Sequence, residues 1–535
     1  MKVMLSNAPS TKDASWEFRR SSLSGPSTGI VYLASMLGPQ KALGFDKKAA
    51  DAILLEPNQK GSDERIGAFG PDVFGATAYE FNLMEVGDLF AQVRAINPST
   101  ICAVGGPAAT LVPNHVLRAT GADILFQGEA EIPWRSFIEH LDSCGKLEDF
   151  SQPGVHIKGL GATSGTRVVP RLTLEQFQSI EPDISLIEGF GSDPGIRPVD
   201  FAFSRGCPNQ RCSFCQISPF QEHRRLGLEK TMRIIRDISG IPRANMLAFG
   251  DGTFGGGKDG AKELLRRIIS SGISFDQGMF GEFTVEMCLG GKQAGMRKAD
   301  EELLSLMHEA GMRCFELGIE SFSMVQLKKF SKPLFNLTEF LNLMDAVGRM
   351  GMEAGGSFHL MGFDTVCEDV LESIEKYFRM KLVRPDLCFG IGIAILPYVG
   401  TGEYKKFLDI MSRDPSSAML AHSLMKDHGF MADISDDGDG YPYLFKTALP
   451  LLDIPLLKAV CDPAYLMAIS TMDLDEEQAK ALRLVMLTMA IHRSIGSEPE
   501  SRRRFLNLMV ENTIDAALQT DIGSTALITA ERAAI

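Results

Sequence analysis

Short apolar runs alternate with helix-length segments in two separate series along this chain of 535 residues, and that alternation fixes the fold class. In the first series Val3–Leu5, Ala52–Leu55, Val73–Thr77, Ile101–Val104 and Ile124–Phe126 have the length and composition of buried strands. Glu85–Ile96 and Val116–Thr120 carry helical patterns between them. Strands separated by crossover helices imply a parallel, doubly wound α/β sheet over residues 1–150. Such sheets take ligands at the carboxyl ends of their strands. Polar and glycine-rich residues fall at those ends: Ser6-Asn7-Ala8-Pro9, Thr77-Ala78-Tyr79-Glu80, Gly105-Gly106-Pro107 and Gln127-Gly128-Glu129.

Residues 151–197 are rich in Gly, Pro and Ser and read as a linker. The second series, within 198–415, predicts strands at Val199–Phe203, Met246–Phe249, Phe280–Val285, Cys314–Gly318, Gly356–Met361 and Phe389–Leu396. Amphipathic helices lie between several of them: Lys230–Ile238, Ala261–Ile269, Asp300–Ala310, Leu337–Met350 and Val370–Met380. Repeated strand–helix units of this kind curl toward a barrel whose sites lie at the carboxyl ends of the strands. Residues 416–535 are helix-rich by periodicity, notably Glu476–Ile495 and Arg502–Leu518, and carry no further chemical motif.

Directly after the first strand of the second series comes Arg205-Gly206-Cys207-Pro208-Asn209-Gln210-Arg211-Cys212-Ser213-Phe214-Cys215, which holds three of the ten cysteines. Three thiolates on one tight loop suit three irons of a four-iron, four-sulfur cube and leave the fourth iron open to substrate. A zinc site asks for a fourth Cys or His at close spacing. The nearest imidazole, His223, is eight residues past Cys215. A disulfide would leave one thiol over. Zinc and chance clustering stand as the alternatives.

This loop resembles the signature of the radical S-adenosylmethionine superfamily, C-x3-C-x2-C with an aromatic before the last Cys, here Phe214. Four residues intervene between Cys207 and Cys212 where that family usually has three, a departure that bears on loop conformation. The resemblance implies a partial (β/α)6 barrel. Four further pieces at strand ends are similar to the family. Gly250-Asp251-Gly252-Thr253-Phe254 stands where relatives bind the amino group of S-adenosylmethionine, an ammonium that Asp251 would suit electrostatically. Glu286 ends the third strand. Gly318-Ile319-Glu320-Ser321 ends the fourth, its glutamate placed near nucleoside or substrate in relatives. Leu396-Pro397-Tyr398-Val399-Gly400-Thr401 resembles P-x-P-G-T.

The first series is similar to the Rossmann-like cobalamin-binding domain found in front of many such enzymes. The stretches that carry the likeness are Pro26-x-x-Gly29-Ile30-x-Tyr32-Leu33-Ala34-Ser35, Pro71-Asp72-Val73-x-Gly75, Val104-Gly105-Gly106-Pro107 and Gly128-Glu129-Ala130-Glu131, in the family's order. The likeness makes Ser6, Asn7, Thr77, Tyr79, Glu80, Gly105, Gly106, Gln127, Gly128 and Glu129 the candidate cobalamin contacts. The cobalt-ligating motif D-x-H-x-x-G is absent: none of the nine histidines has Asp two positions before it.

The resemblance implies a cobalamin-dependent methyltransferase. One electron from a donor such as flavodoxin or ferredoxin would split S-adenosylmethionine at the open iron, and the resulting 5′-deoxyadenosyl radical would take hydrogen from an unactivated carbon of a small-molecule or peptide substrate. A methyl group carried on cobalamin would then be transferred. Rearrangement, cyclisation or ring contraction with the same cofactors, polar methyl transfer, and a non-catalytic cobalamin or iron–sulfur sensor remain rival readings.

Charge and composition bound the partners. A net charge of −14 argues against general affinity for nucleic acid or anionic membrane. No run of 18 apolar residues appears, and the N-terminus becomes polar too early for a secretory signal. The seven other cysteines are scattered as in reduced proteins, so a cytoplasmic location is expected. Three motifs compete with this reading. Gly252–Asp259 nearly spells a phosphate-binding loop, but Asp259 lacks the hydroxyl that would hold magnesium. The acidic stretch Asp433–Gly440 misses the calcium-loop spacing and reads as a turn. His359, inside an apolar strand, reads as a core histidine before a substrate contact.

Overall fold

The computed structural model describes residues 1–7, 26–57, 61–79, 82–144, 146–159, 169–188, 190, 197–217, 222–293, 295–362 and parts of 364–413, among them 390–395, 398 and 400–413. Glu80, Pro397, most of Val370–Met380, the acidic stretch Asp433–Gly440 and the helices expected over 416–535 lie outside the described residues.

The N-terminal sheet is built from β1 (Lys2–Ser6), β2 (Asp51–Leu55), β3 (Val73–Thr77), β4 (Ile101–Gly105), β5 (Ile124–Phe126) and β6 (Val155–Ile157), in spatial order β2-β1-β3-β4-β5-β6. The first five run parallel, and β6 joins β5 antiparallel. Period-two alternation along each strand separates two cores. Met4, Phe74, Cys102 and Val104 face one core with Val86, Phe90, Val93 and Val116 of the covering helices. Val3, Leu5, Val73 and Ala103 face the other, with Tyr32, Trp134 and Phe137. A parallel sheet covered on both faces needs such near-continuous apolar strands.

The stretch read as a linker is more than a tether. It contributes β6 and the helices Leu174–Ser179 and Ser185–Glu188, and it buries Phe177, Ile180, Ile187 and Phe190. These join one apolar cluster that runs from Tyr32 to Phe201, Phe249 and Phe283 of the second unit. Elements this short offer too few turns for periodicity to show, and Gly and Pro dominate the composition.

The second unit contains β7 (Arg197–Phe201), β8 (Ser204–Arg205), β9 (Arg224–Arg225), β10 (Ala244–Phe249), β11 (Met279–Phe280), β12 (Glu282–Thr284), β13 (Leu289–Gln293), β14 (Met296–Ala299), β15 (Cys314–Glu320), β16 (Glu353–Met361) and β17 (Gly390–Ala394). β7, β10 and β11 pair in parallel, as do β12, β15, β16 and β17. β11 and β12 are one strand interrupted at Gly281, where a Cβ would stand 2.8 Å from the Phe254 ring. Parallel strands in sequence order, with helices such as Leu228–Ser239, Lys258–Ser271, Glu301–Glu309 and Leu337–Arg349 between them, form the partial (β/α)6 barrel. The last of these helices begins in a capping box between Asn336 and Glu339. Among the described residues no helix is long and apolar enough to cross a membrane.

Candidate active site

The cysteine loop is spanned by the short antiparallel pair β8–β9, Ser204 against Arg225 and Arg205 against Arg224. Gly206 turns the chain with φ of +76° into Cys207. The Cys207 sulfur lies 3.2 Å from the Thr253 hydroxyl, and the Asn209 amide donates to the Cys212 sulfur at 3.3 Å. A Cβ on Gly252 would lie 3.5 Å from Cys207 Cβ, so the 250–253 turn after β10 packs directly on the loop. All three thiols are partly buried and unbridged. Burial pushes the Cys212 thiol up to about 12, with Lys332 opposing that shift. Metal binding would have to displace this proton.

Beneath Phe214 sits a charged group. Lys332 forms a 2.9 Å ion pair with Glu320, and His359 Nε2 lies 3.4 Å from the second Glu320 oxygen. The Phe214 ring is 5.6 Å from Phe330, 6.1 Å from His359 and 6.0 Å from the Lys332 amine. Burial pulls the Lys332 amine down, but Glu320 and Cys212 outweigh it and hold the amine above its ordinary value. Burial, aided by the Lys332 charge, keeps His359 below its usual range against the pull of Glu320. Glu320 has φ of +59°, and the Ser321 amide donates to the Ile319 carbonyl across it at 2.7 Å. Strained backbone of this kind persists where the surroundings over-determine it, and it clusters at functional sites.

The structure thus brings Cys207, Cys212, Cys215, Phe214 and Glu320 into one neighbourhood. Asp251, in the turn that packs on the loop, is buried against Ser204 of β8, and burial raises its carboxyl to about 7. A Cβ on Gly250 would come 2.5 Å from Asp200 Oδ1, so that glycine serves close packing. Glu286 is exposed near Arg297 of the β13–β14 hairpin. Sequence reasoning missed Thr253, Asn209 and Lys332 as partners of the loop. Their signal was weak: Thr253 lies in the turn after β10, Asn209 inside the loop and Lys332 past the helix Met324–Lys329, and none is an unusual residue in such a place. Lys258 of the near-miss phosphate loop is held by Asp300 at 3.1 Å and by the Leu289 carbonyl, not offered to a phosphate. Among the described residues no group of three or more His, Cys, Asp or Glu is arranged to hold a single metal ion.

In the N-terminal unit the order β2-β1-β3-β4-β5 reverses direction between β1 and β3, and the crevice at such a switch point is where doubly wound sheets bind ligands. Ser6 and Asn7 end β1 there; Thr77 and Tyr79 end β3. Asn7 accepts from the Ser27 amide at 2.8 Å, fixing the start of helix Thr28–Ser35. Gly105 ends β4, and Gly106, with φ of +102°, leaves no room for a Cβ against the Ala78 carbonyl and Thr77 Cγ2, both at 2.8 Å.

Beyond β5 the candidates turn from the crevice to structure. Gln127 donates to the Thr110 carbonyl at 2.8 Å, and a Cβ on Gly128 would meet the Pro170 carbonyl at 2.5 Å. Glu129 is buried and bridges to the barrel through Arg205 and Arg224. Burial pushes its carboxyl up, but the Arg224 hydrogen bond, the Arg205 charge and the Leu172 amide outweigh that and leave it below its ordinary value. Tyr398, past β17, packs against the apolar cluster of the N-terminal unit that includes Ala78, Leu83 and Ala108. A strand end of the barrel therefore meets the region where β3 and β4 of the first sheet end.

Residues 20–137 match the B12 binding domain family and residues 201–377 match the Radical SAM superfamily. The chain is 25% identical over 348 residues to cytidylyl-2-hydroxyethylphosphonate methyltransferase of Streptomyces wedmorensis. That match covers 58% of this chain and 61% of the relative, so less than two thirds of the relative's length is spanned. The fold is similar to that of the cobalamin-dependent S-adenosylmethionine radical enzyme OxsB with aqua-cobalamin bound: TM-score 0.59, 13% identity, 96% of this chain and 76% of that one covered. It is also similar to the radical S-adenosylmethionine methyltransferase TsrM of Kitasatospora setae, solved with cobalamin and a [4Fe-4S] cluster: TM-score 0.51, 15% identity, 75% and 77% covered.

Proposed function

The chain belongs to the cobalamin-dependent radical S-adenosylmethionine family, and on that premise we propose that it is a methyltransferase acting on an unactivated carbon of a small-molecule or peptide substrate. The observation that carries the reading is the placement of a three-thiol loop at the mouth of the barrel, with Thr253 against Cys207 and the Glu320–Lys332 pair beneath Phe214. The donor set fits an iron–sulfur cube: Cys207, Cys212 and Cys215 would each hold one iron, leaving the fourth without a protein ligand.

With a [4Fe-4S] cluster, S-adenosylmethionine and cobalamin bound, these groups would supply sulfonium cleavage by one electron and a carrier for the methyl group. The protein's part is to bind, orient and exclude water. Asn209 donates a hydrogen bond to one sulfur, and the Thr253 hydroxyl stands beside another. Hydrogen bonds to cluster sulfurs tune the reduction potential. Phe214 packs against Phe330 and His359, over the Glu320–Lys332 pair. Ser6, Asn7, Thr77, Tyr79 and Gly106 line the switch-point crevice proposed for cobalamin. A one-electron donor of the flavodoxin or ferredoxin kind supplies the reducing equivalent.

The test is anaerobic incubation of the full chain with dithionite and S-adenosylmethionine labelled in its methyl group. Release of 5′-deoxyadenosine, abolished in the Cys207→Ala/Cys212→Ala/Cys215→Ala variant, supports the reading. Methyl label in the product separates methylation from rearrangement. A native protein that releases no 5′-deoxyadenosine would contradict the radical step.

A further inference from the structure

The two units meet in a buried knot of charge centred on Arg205, two residues before Cys207. Its guanidinium pairs with Glu131 and lies 3.5 Å from Glu129, both in the segment that follows β5. The cation also stands 5.1 Å from the Phe177 ring and 5.4 Å from that of Tyr32. Glu129 is gripped in turn by Arg224, at 2.6 and 2.9 Å, and by the Leu172 amide at 2.6 Å. Arg205 and Arg224 are paired residues of β8 and β9, the strands between which the cysteine loop is strung. Carboxylates of the N-terminal unit therefore clamp both ends of the loop in the barrel.

This clamp is built for geometry. A guanidinium fork fixes its partners in a plane, and removing one partner of a buried pair leaves the other charge uncompensated. Slack is also missing on the other side. Gly128, between the end of β5 and Glu129, is pressed against Pro170 so closely that no Cβ fits. The Ala202 amide donates to Thr28 Oγ1 at 2.7 Å, tying the residue after β7 to the helix that follows the β1 loop. The carboxyl edge of the first sheet and the strands β8 and β9 are thus in direct contact through these groups.

We infer that Arg205 is a positioning residue through which occupancy of the N-terminal crevice sets the geometry of the cysteine loop, so that cobalamin and cluster binding are energetically coupled. The inference rests on the functional reading above. Coupling is reciprocal: if one group changes the loop, the other's affinity must respond by the same factor.

The experiment titrates aquacobalamin anaerobically into the full-length protein with and without the reconstituted cluster, following the cobalamin absorbance. In the native protein the two affinities are expected to differ by about fivefold or more. In Arg205→Met/Glu131→Gln, which removes both partners and strands no buried charge, the ratio is expected to fall within about twofold while both groups still bind. Arg205→Lys, which keeps the charge and loses the fork, must move the ratio the same way; it carries the test if the double variant is insoluble. A ratio unchanged in these variants, or equal affinities in the native protein, overturns the inference. Failure of the native protein to take up iron or aquacobalamin at all would overturn the functional reading itself.

Discussion

Ser213 and Glu403 are joined twice: the serine hydroxyl donates to the Glu403 carboxylate at 2.8 Å, and the Glu403 amide donates to the Ser213 carbonyl at 2.8 Å. Ser213 lies inside the cysteine loop beyond the first barrel strand. Glu403 opens the helix Gly402–Arg413 beyond the sixth. A Cβ on Gly402 would approach Ser213 to 3.2 Å, so the two segments pass closely. The first and last strands of the partial barrel are thereby clasped at the cysteine loop.

Glu403 is fully buried and also pairs with Lys406 at 2.8 Å. Glu403→Ala is expected to destabilise the chain by about 2 kcal/mol, because it removes a fully buried carboxylate that accepts from the part-buried Ser213 hydroxyl and pairs with Lys406. Glu403→Gln should cost less, since one acceptor oxygen remains. Urea unfolding measures the stability. Iron retained per chain after gel filtration should fall in the same order.

The Lys332–Glu320 pair is the most enclosed charge pair beside the cysteines, each side chain being 9% exposed. Lys332→Met would strand the Glu320 carboxylate and should cost about 3 kcal/mol. Lys332→Met/Glu320→Gln removes both charges and should recover most of that loss. Denaturant melts of the three proteins decide it: equal losses in the single and double variants would mean the charges are not coupled.

Asp251 gives a pH signature. Burial raises its carboxyl from 3.8 to about 7, so between those values the folded chain holds a proton that the unfolded chain has lost. Its contribution to stability is therefore present at low pH, falls as pH rises toward 7, and is constant above. Asp251→Asn should gain on the native protein as pH rises from 4 to about 7 and gain no more from 7 to 9. Thermal melts across this range check it; a constant difference would place the Asp251 titration elsewhere.

Gly106→Ala places a Cβ against Ala78 and Thr77 at a φ that disfavours it. A loss of more than about 1 kcal/mol is expected. Aquacobalamin affinity should weaken with it, since Thr77 flanks the switch point. Gly121→Ala, with φ of +65° and open space around it, controls for backbone strain alone.

Much of the fold was legible because long-range order here is written locally. Val73–Thr77 and Ile124–Phe126 are strands as their apolar runs predict, and the helices Leu228–Ser239, Lys258–Ser271, Glu301–Glu309 and Leu337–Arg349 begin and end within a few residues of their periodic segments. Phe280–Val285 reads as one strand because nothing in its pattern announces the break at Gly281, where the Phe254 ring from another loop leaves no room for a Cβ. The β13–β14 hairpin hid among Gly and Lys. At the site, the cysteines stood out as a spaced motif, whereas Lys332 and Thr253 become partners of the loop only through tertiary approach. Glu129 shows the limit most clearly. Its place at a strand end suggested a cofactor contact, but the arginines that claim its carboxylate lie 76 and 95 positions away, and only the assembled chain reveals them.

In the function proposed above, Cys207, Cys212 and Cys215 hold a cluster with one open iron beside a crevice for cobalamin. Chemical analysis of anaerobically purified, reconstituted protein for iron, acid-labile sulfide and cobalt tests it most directly. The account predicts about four iron and four sulfide per chain, with one cobalt after loading with cobalamin, and loss of iron and sulfide but not cobalt in the triple Cys→Ala variant. A single zinc without sulfide, or iron content unchanged by removal of the three cysteines, would contradict it.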